Sequence, residues 1–146
     1  MNTDVRALTE SLVSIPSHDD ETAVGDRIER WLHEETDTTV RRDETGNVIA
    51  DRSVAGSDES LALVGHHDVV PPADRQVDAD GEYVVDEREG RLYGRGTADM
   101  KGPLAAAMVA FRDADPAVDL VFASFVGEEQ GGIGAQAAIE EGFAPT

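Results

Sequence analysis

The stretch SLALVGHHD, residues 60–68, decides the fold. Its first six residues are a continuous apolar run of strand length, the pattern of a strand buried on both faces. The run stops abruptly at His66, His67 and Asp68. Outward in both directions the chain repeats the logic. Downstream, VDLVFASFVG (residues 118–127) is a second buried strand that ends at Glu128 and Glu129. Between the two lies GPLAAAMVAFRDA, a helix with proline suited to its first turn. After the second strand, GIGAQAAIEEG reads as a further helix. Upstream, Val5, Leu8, Leu12 and Ile15 mark one helical face over residues 3–15, which Pro16 ends. Val24, Ile28, Trp31 and Leu32 mark another over residues 20–35. Two short strands follow, at residues 38–42 and 47–52, with a turn between them, and a hairpin is expected at residues 83–85 and 91–93. Strands alternating with helices predict an α/β domain: a mixed, mostly parallel sheet with helices on both faces.

Composition limits what such a domain could do. The 146 residues suffice for one core, and without cysteine no disulfide, thiol nucleophile or thiolate-bound metal is possible. Thirty-one acidic residues against twelve basic give a formal net charge of −19, which argues against nucleic-acid partners. The N-terminus has no signal-peptide pattern, and no apolar run reaches the ~18–20 residues of a membrane span, so a cytoplasmic protein without membrane partners is expected. Carboxylates so dense repel one another unless salt screens them, and the composition points to a halophilic cytoplasm. The melting temperature is then expected to rise steeply from dilute buffer to molar potassium chloride; equal values in thermal scans would refute the halophilic reading.

In open α/β sheets, ligands bind outside the carboxyl ends of the strands, where three polar clusters fall. They are His66-His67-Asp68, Asp99 within YGRGTADMKG, and Glu128-Glu129. Singly, each has a plain explanation. The histidines could be edge residues, Asp99 a helix cap, and the glutamates solvated surface. The glycine-rich stretch lacks the third glycine and the G-K-[ST] ending of phosphate loops, so no nucleotide cofactor is expected. Together the clusters form a nitrogen and oxygen ligand set suited to zinc, cobalt or manganese. On extended backbone, Asp68 points to the same side as His66 and can accept a hydrogen bond from its imidazole. His67 points away. Adjacent glutamates suggest that one binds metal while the other handles protons.

The stretches GHHDVVP, YGRGTADMKGPLAA and GEEQGGIGA, with LVSIPS near the N-terminus, resemble the zinc metallopeptidase family of acetylornithine deacetylase, succinyl-diaminopimelate desuccinylase, aminoacylase and glutamate carboxypeptidase. The resemblance implies hydrolysis of an amide in an N-acyl amino acid or small peptide, with two zinc ions in a complete site. It implies His66 and Glu129 as metal ligands, Asp99 as a bridging ligand in a cis peptide with Met100, Asp68 as the orienting partner of His66, and Glu128 as general base. The family also uses a later acidic ligand, a histidine near its C-terminus and a dimerising lid domain. Residues 1–146 are therefore expected to be the N-terminal portion of a catalytic domain of the co-catalytic zinc peptidase fold, with that lid and the C-terminal part absent. The complete protein is expected to be a homodimer. The competing expectation is a catalytically incomplete, acidic α/β fragment that binds cations or a partner without turning over substrate.

Overall fold

A computed structural model describes residues 3–144; Met1, Asn2, Pro145 and Thr146, including the last two residues of the expected catalytic portion, lie outside them. Two helices come first, α1 (Thr3–Val13) and α2 (Thr22–Glu35), then strands β1 (Thr39–Arg42), β2 (Val48–Arg52) and β3 (Ser60–His66). A hairpin of β4 (Asp86–Arg88) and β5 (Arg91–Tyr93) precedes a kinked turn at Thr97–Lys101, followed by α3 (Gly102–Asp113), β6 (Asp119–Phe125) and α4 (Ile133–Glu140). The main sheet has the order β1-β2-β6-β3.

The sheet is mixed and carries helices on both faces, as expected, but its balance differs. Among the described residues only β3 and β6 run parallel; β1 with β2 and β2 with β6 are antiparallel. Parallel neighbours need a long crossover, and only the β3-to-β6 connection contains one, with α3 as its helix. The hairpin β1–β2 closes through Asp43, whose Oδ1 accepts the backbone N–H groups of Thr45, Gly46 and Asn47 at 2.9–3.0 Å. The second hairpin starts three residues later than expected. Glu89 and Gly90 both adopt positive φ (52° and 75°), the two-residue turn that makes Arg88 and Arg91 the first paired residues. Tyr83 instead forms an isolated bridge with Val77.

The central strand β6 is covered on both sides. One core unites α1, α2 and α3 with the sheet through Leu12, Ile28, Leu104, Phe111 and Phe122; the other packs α4 on Ile49, Ala123 and Phe125. Each large side chain so buried contributes about 1.5–3 kcal/mol. The apolar run at residues 60–65 is the exception. β3 is an edge strand among the described residues, and Leu61 and Val64 are 55% and 52% exposed. A continuous apolar run signals burial without saying on how many faces the described residues supply it. No helix among the described residues is long and apolar enough to cross a membrane.

Candidate metal centre

Parallel pairing brings the site together. The register runs from Ser60 opposite Asp119 to His66 opposite Phe125, so β3 and β6 end at the same level. His66 is the last residue of one strand, and Gly127 (φ 59°) starts the loop that carries Glu128 and Glu129 off the other. Asp99 arrives from the third direction, in the kinked turn before α3. The helix begins at Gly102 with Lys101 at its cap position, so Asp99 is not a helix cap. The Asp99–Met100 peptide is cis, as the resemblance implies.

Asp68 holds two parts of the centre at once. His66 Nδ1 lies 3.1 Å from the Asp68 carbonyl oxygen and 3.2 Å from Asp68 Oδ1. Both are acceptors, so Nδ1 carries the proton. The same carboxylate accepts the backbone N–H of Glu128 on Oδ1 (3.0 Å) and of Glu129 on Oδ2 (2.9 Å). Burial alone would raise the Asp68 pKa, but these hydrogen bonds and the His66 charge bring it below the ordinary carboxylate value. The sequence gives the first contact through the His-x-Asp spacing. The second joins residues sixty apart, and spacing carries no trace of it.

With Nδ1 engaged, the other ring nitrogen of His66 faces negative charge: Nε2 lies 3.2 Å from Asp99 Oδ1 and 3.8 Å from Glu128 Oε2. Ligand atoms of His66, Glu128 and Glu129 fall within 4.8 Å of one another, with His66 buried and both glutamates exposed. Asp99 approaches His66 without joining that group of three. Burial would lower the His66 pKa, yet the hydrogen bond and charge of Asp68, together with Asp99, raise it to about 9. A neutral imidazole would aim a lone pair at two carboxylates. The arrangement is satisfied only by a proton on Nε2 or by a cation between these groups. One imidazole and three carboxylates, with no lysine or arginine paired to Asp99, Glu128 or Glu129 among the described residues, therefore suit a divalent cation.

His67, expected to point away, does so into the core. It is fully buried, its Nδ1 2.7 Å from Ser124 Oγ, and Nε2 has no hydrogen-bond partner among the described residues. Burial holds its pKa down at about 3. The folded chain thus keeps His67 neutral where an unfolded chain would take a proton below about pH 6.5. The stability this contributes is present above that pH and is lost as pH falls toward 3. Urea unfolding at pH 6.5 and pH 5 is expected to show the wild type losing about 1.7 kcal/mol more than His67→Gln. Equal losses would refute a neutral buried His67.

Lys101, the only lysine of the chain, is also fully buried, and burial lowers its pKa to about 7. Its Nζ donates to the Ile15 carbonyl at 2.6 Å and lies 5.5 Å from the Tyr83 ring centre. Nothing in its spacing from other residues marks it as more than a surface charge near a helix start.

Residues 62–145 match the family model described as peptidase family M20/M25/M40. A succinyl-diaminopimelate desuccinylase of Stenotrophomonas maltophilia (strain R551-3) is 58% identical over 50 residues, which are 34% of this chain and 13% of that protein. The structure superposes on human carnosine dipeptidase 1 with a TM-score of 0.76 and 21% identity, over 94% of this chain and 34% of that one. A tripeptidase from Staphylococcus aureus subsp. aureus Mu50 gives 0.75 and 24%, over 97% of this chain and 41% of that one. These structural likenesses establish a shared fold. The chain spans about a third of the first of these structures, and its match covers about an eighth of the desuccinylase.

Proposed function

The chain belongs to peptidase family M20/M25/M40, and from that premise we propose that it is the N-terminal portion of the catalytic domain of a zinc-dependent amidohydrolase. Its substrate is an N-acyl amino acid or a small peptide, in the manner of a deacetylase or desuccinylase. The observation that carries the reading is His66, whose Nδ1 is held by Asp68 while Nε2 faces the carboxylates of Asp99 and Glu128. The domain assignment is supported by coverage: nearly all of this chain matches about a third of a larger fold.

His66, Asp99 and Glu129 would hold zinc, two ions in a complete site; cobalt or manganese suits the same donors. Bound zinc supplies Lewis acidity toward an amide carbonyl and makes water easier to deprotonate. The chain's own residues do the rest. Asp68 fixes the His66 tautomer and anchors the backbone of both glutamates, so imidazole and carboxylates keep their spacing. Glu128, 56% exposed and reaching within 3.8 Å of His66 Nε2, accepts a proton from the attacking water and returns it to the leaving amine. The remaining partners and setting follow the same reading: a small-molecule substrate, a homodimer and a cytoplasmic, saline location.

The competing reading is an acidic fragment that binds cations without catalysis. It is favoured by one observation, that among the described residues His66, Asp99, Glu128 and Glu129 are the candidate ligands. The test is hydrolysis of N-succinyl-diaminopimelate, N-acetylornithine and dipeptides by the longest expressed form of the protein. Turnover that a chelator abolishes and zinc restores supports the hydrolase. Zinc bound without turnover of any amide supports the fragment.

A further inference from the structure

The segment Ile15-Pro16-Ser17, which belongs to the LVSIPS stretch, has no part in the chemistry above, yet it touches both arms of the metal centre. Toward β3, Ser17 Oγ donates to the His67 carbonyl at 2.8 Å, and the Val69 N–H donates to the Ser17 carbonyl at 3.2 Å. Ser17 is fully buried. Toward the turn that carries Asp99, Lys101 Nζ donates to the Ile15 carbonyl at 2.6 Å, while the Lys101 backbone N–H closes that turn on the Gly96 carbonyl at 2.8 Å. His66 is one residue from the first contact and Asp99 two from the second.

Burying an amine costs stability unless it makes a bond that offsets the lost water. A methionine of similar length would fill the same space without that cost. What the amine adds, besides its place 5.5 Å from the Tyr83 ring centre, is the hydrogen bond to Ile15. His66 and Asp99 stand 33 residues apart in sequence, yet His66 Nε2 and Asp99 Oδ1 lie 3.2 Å apart. Such a spacing persists only if both backbones are fixed to a common body.

We infer that Lys101 and Ser17 are positioning residues which, through the shared segment Ile15-Pro16-Ser17, set the distance between His66 and Asp99. The inference rests on the metal-centre reading above for its consequence, though not for the strap itself. Loss of either tether frees one arm, and once one arm is free the other tether holds nothing in register. The two losses therefore overlap rather than add.

The experiment compares wild type, Lys101→Met, Ser17→Ala and the double variant by zinc calorimetry and by amide hydrogen exchange of the metal-free chain. Each folded single variant is expected to weaken zinc affinity about 10–100-fold, with the double variant no weaker than the worse single. In exchange, Ser17→Ala should speed the distant Lys101 amide, and Lys101→Met should speed the distant His67 and Val69 amides. Additive losses in zinc affinity, unchanged affinity in both single variants, or exchange that quickens only beside the substituted residue would overturn the strap. Absence of zinc binding by wild type would refute the metal-centre reading, while the exchange measurement still decides the strap. If Lys101→Met does not fold, the Lys101 amide in Ser17→Ala decides it.

Discussion

Zinc affinity is expected to fall about tenfold for each pH unit between pH 8 and pH 6, with close to one proton released per ion bound at the lower end. The cause is the competition built into His66. In the metal-free chain burial would lower the His66 pKa, but Asp68 at Nδ1 and Asp99 at Nε2 raise it to about 9, so the ring is an imidazolium at neutral pH. Metal needs the neutral ring. Below pH 9, each unit of acidity multiplies the protonated fraction relative to the binding form by ten, which costs about 1.4 kcal/mol of apparent binding free energy. The same proton has the opposite sign for folding without metal. A group whose pKa is raised in the folded state stabilises that state fully below the unfolded value of 6.5, and the contribution fades as pH rises through 9. Zinc should therefore rescue at alkaline pH what the proton supplies at acid pH. Calorimetry in buffers of different ionisation enthalpy counts the protons. An affinity that stays level from pH 8 to pH 6, with no proton released, would show that His66 is neutral in the free chain or is not a ligand.

What was legible in the sequence divides along a physical line. Elements governed by local chemistry were readable: α1 and α2 by their apolar periodicity, and β6 by its length and its burial on both faces. The convergence of His66, Asp99 and the glutamate pair was readable because strand ends in an α/β sheet are the places where ligands bind. Three things were not. The exposure of Leu61 and Val64 on β3 depends on which neighbours lie beside the strand, and an apolar run carries no information about neighbours. The second duty of Asp68, anchoring the amides of Glu128 and Glu129, is a contact between residues sixty positions apart. The burial of Lys101 contradicts its residue type, because lysine is almost never fully buried. Tertiary packing overrides composition there, and only the observed contact with Ile15 gives the reason.

Glu128→Gln is expected to lower kcat for amide hydrolysis about 10²–10⁴-fold in the catalytically active protein, while zinc affinity changes by no more than about threefold. The substitution is nearly isosteric. The backbone N–H of residue 128 still reaches Asp68 Oδ1, so the loop keeps its place and Glu129 keeps its own bond to Asp68 Oδ2. What disappears is a carboxylate able to take a proton from water and return it to an amine, and positioned general acid–base groups contribute about that factor. The geometry also permits a different division of labour, since ligand atoms of His66, Glu128 and Glu129 all lie within 4.8 Å of one another. If Glu128 were itself a ligand, Glu128→Gln would weaken zinc binding at least as much as Glu129→Gln does. The pair of variants separates the two assignments. A base at 128 and a ligand at 129 predict that Glu128→Gln binds zinc and does not turn over, whereas Glu129→Gln loses zinc about tenfold or more. Equal zinc losses in both variants would remove Glu128 from proton transfer and place it on the metal.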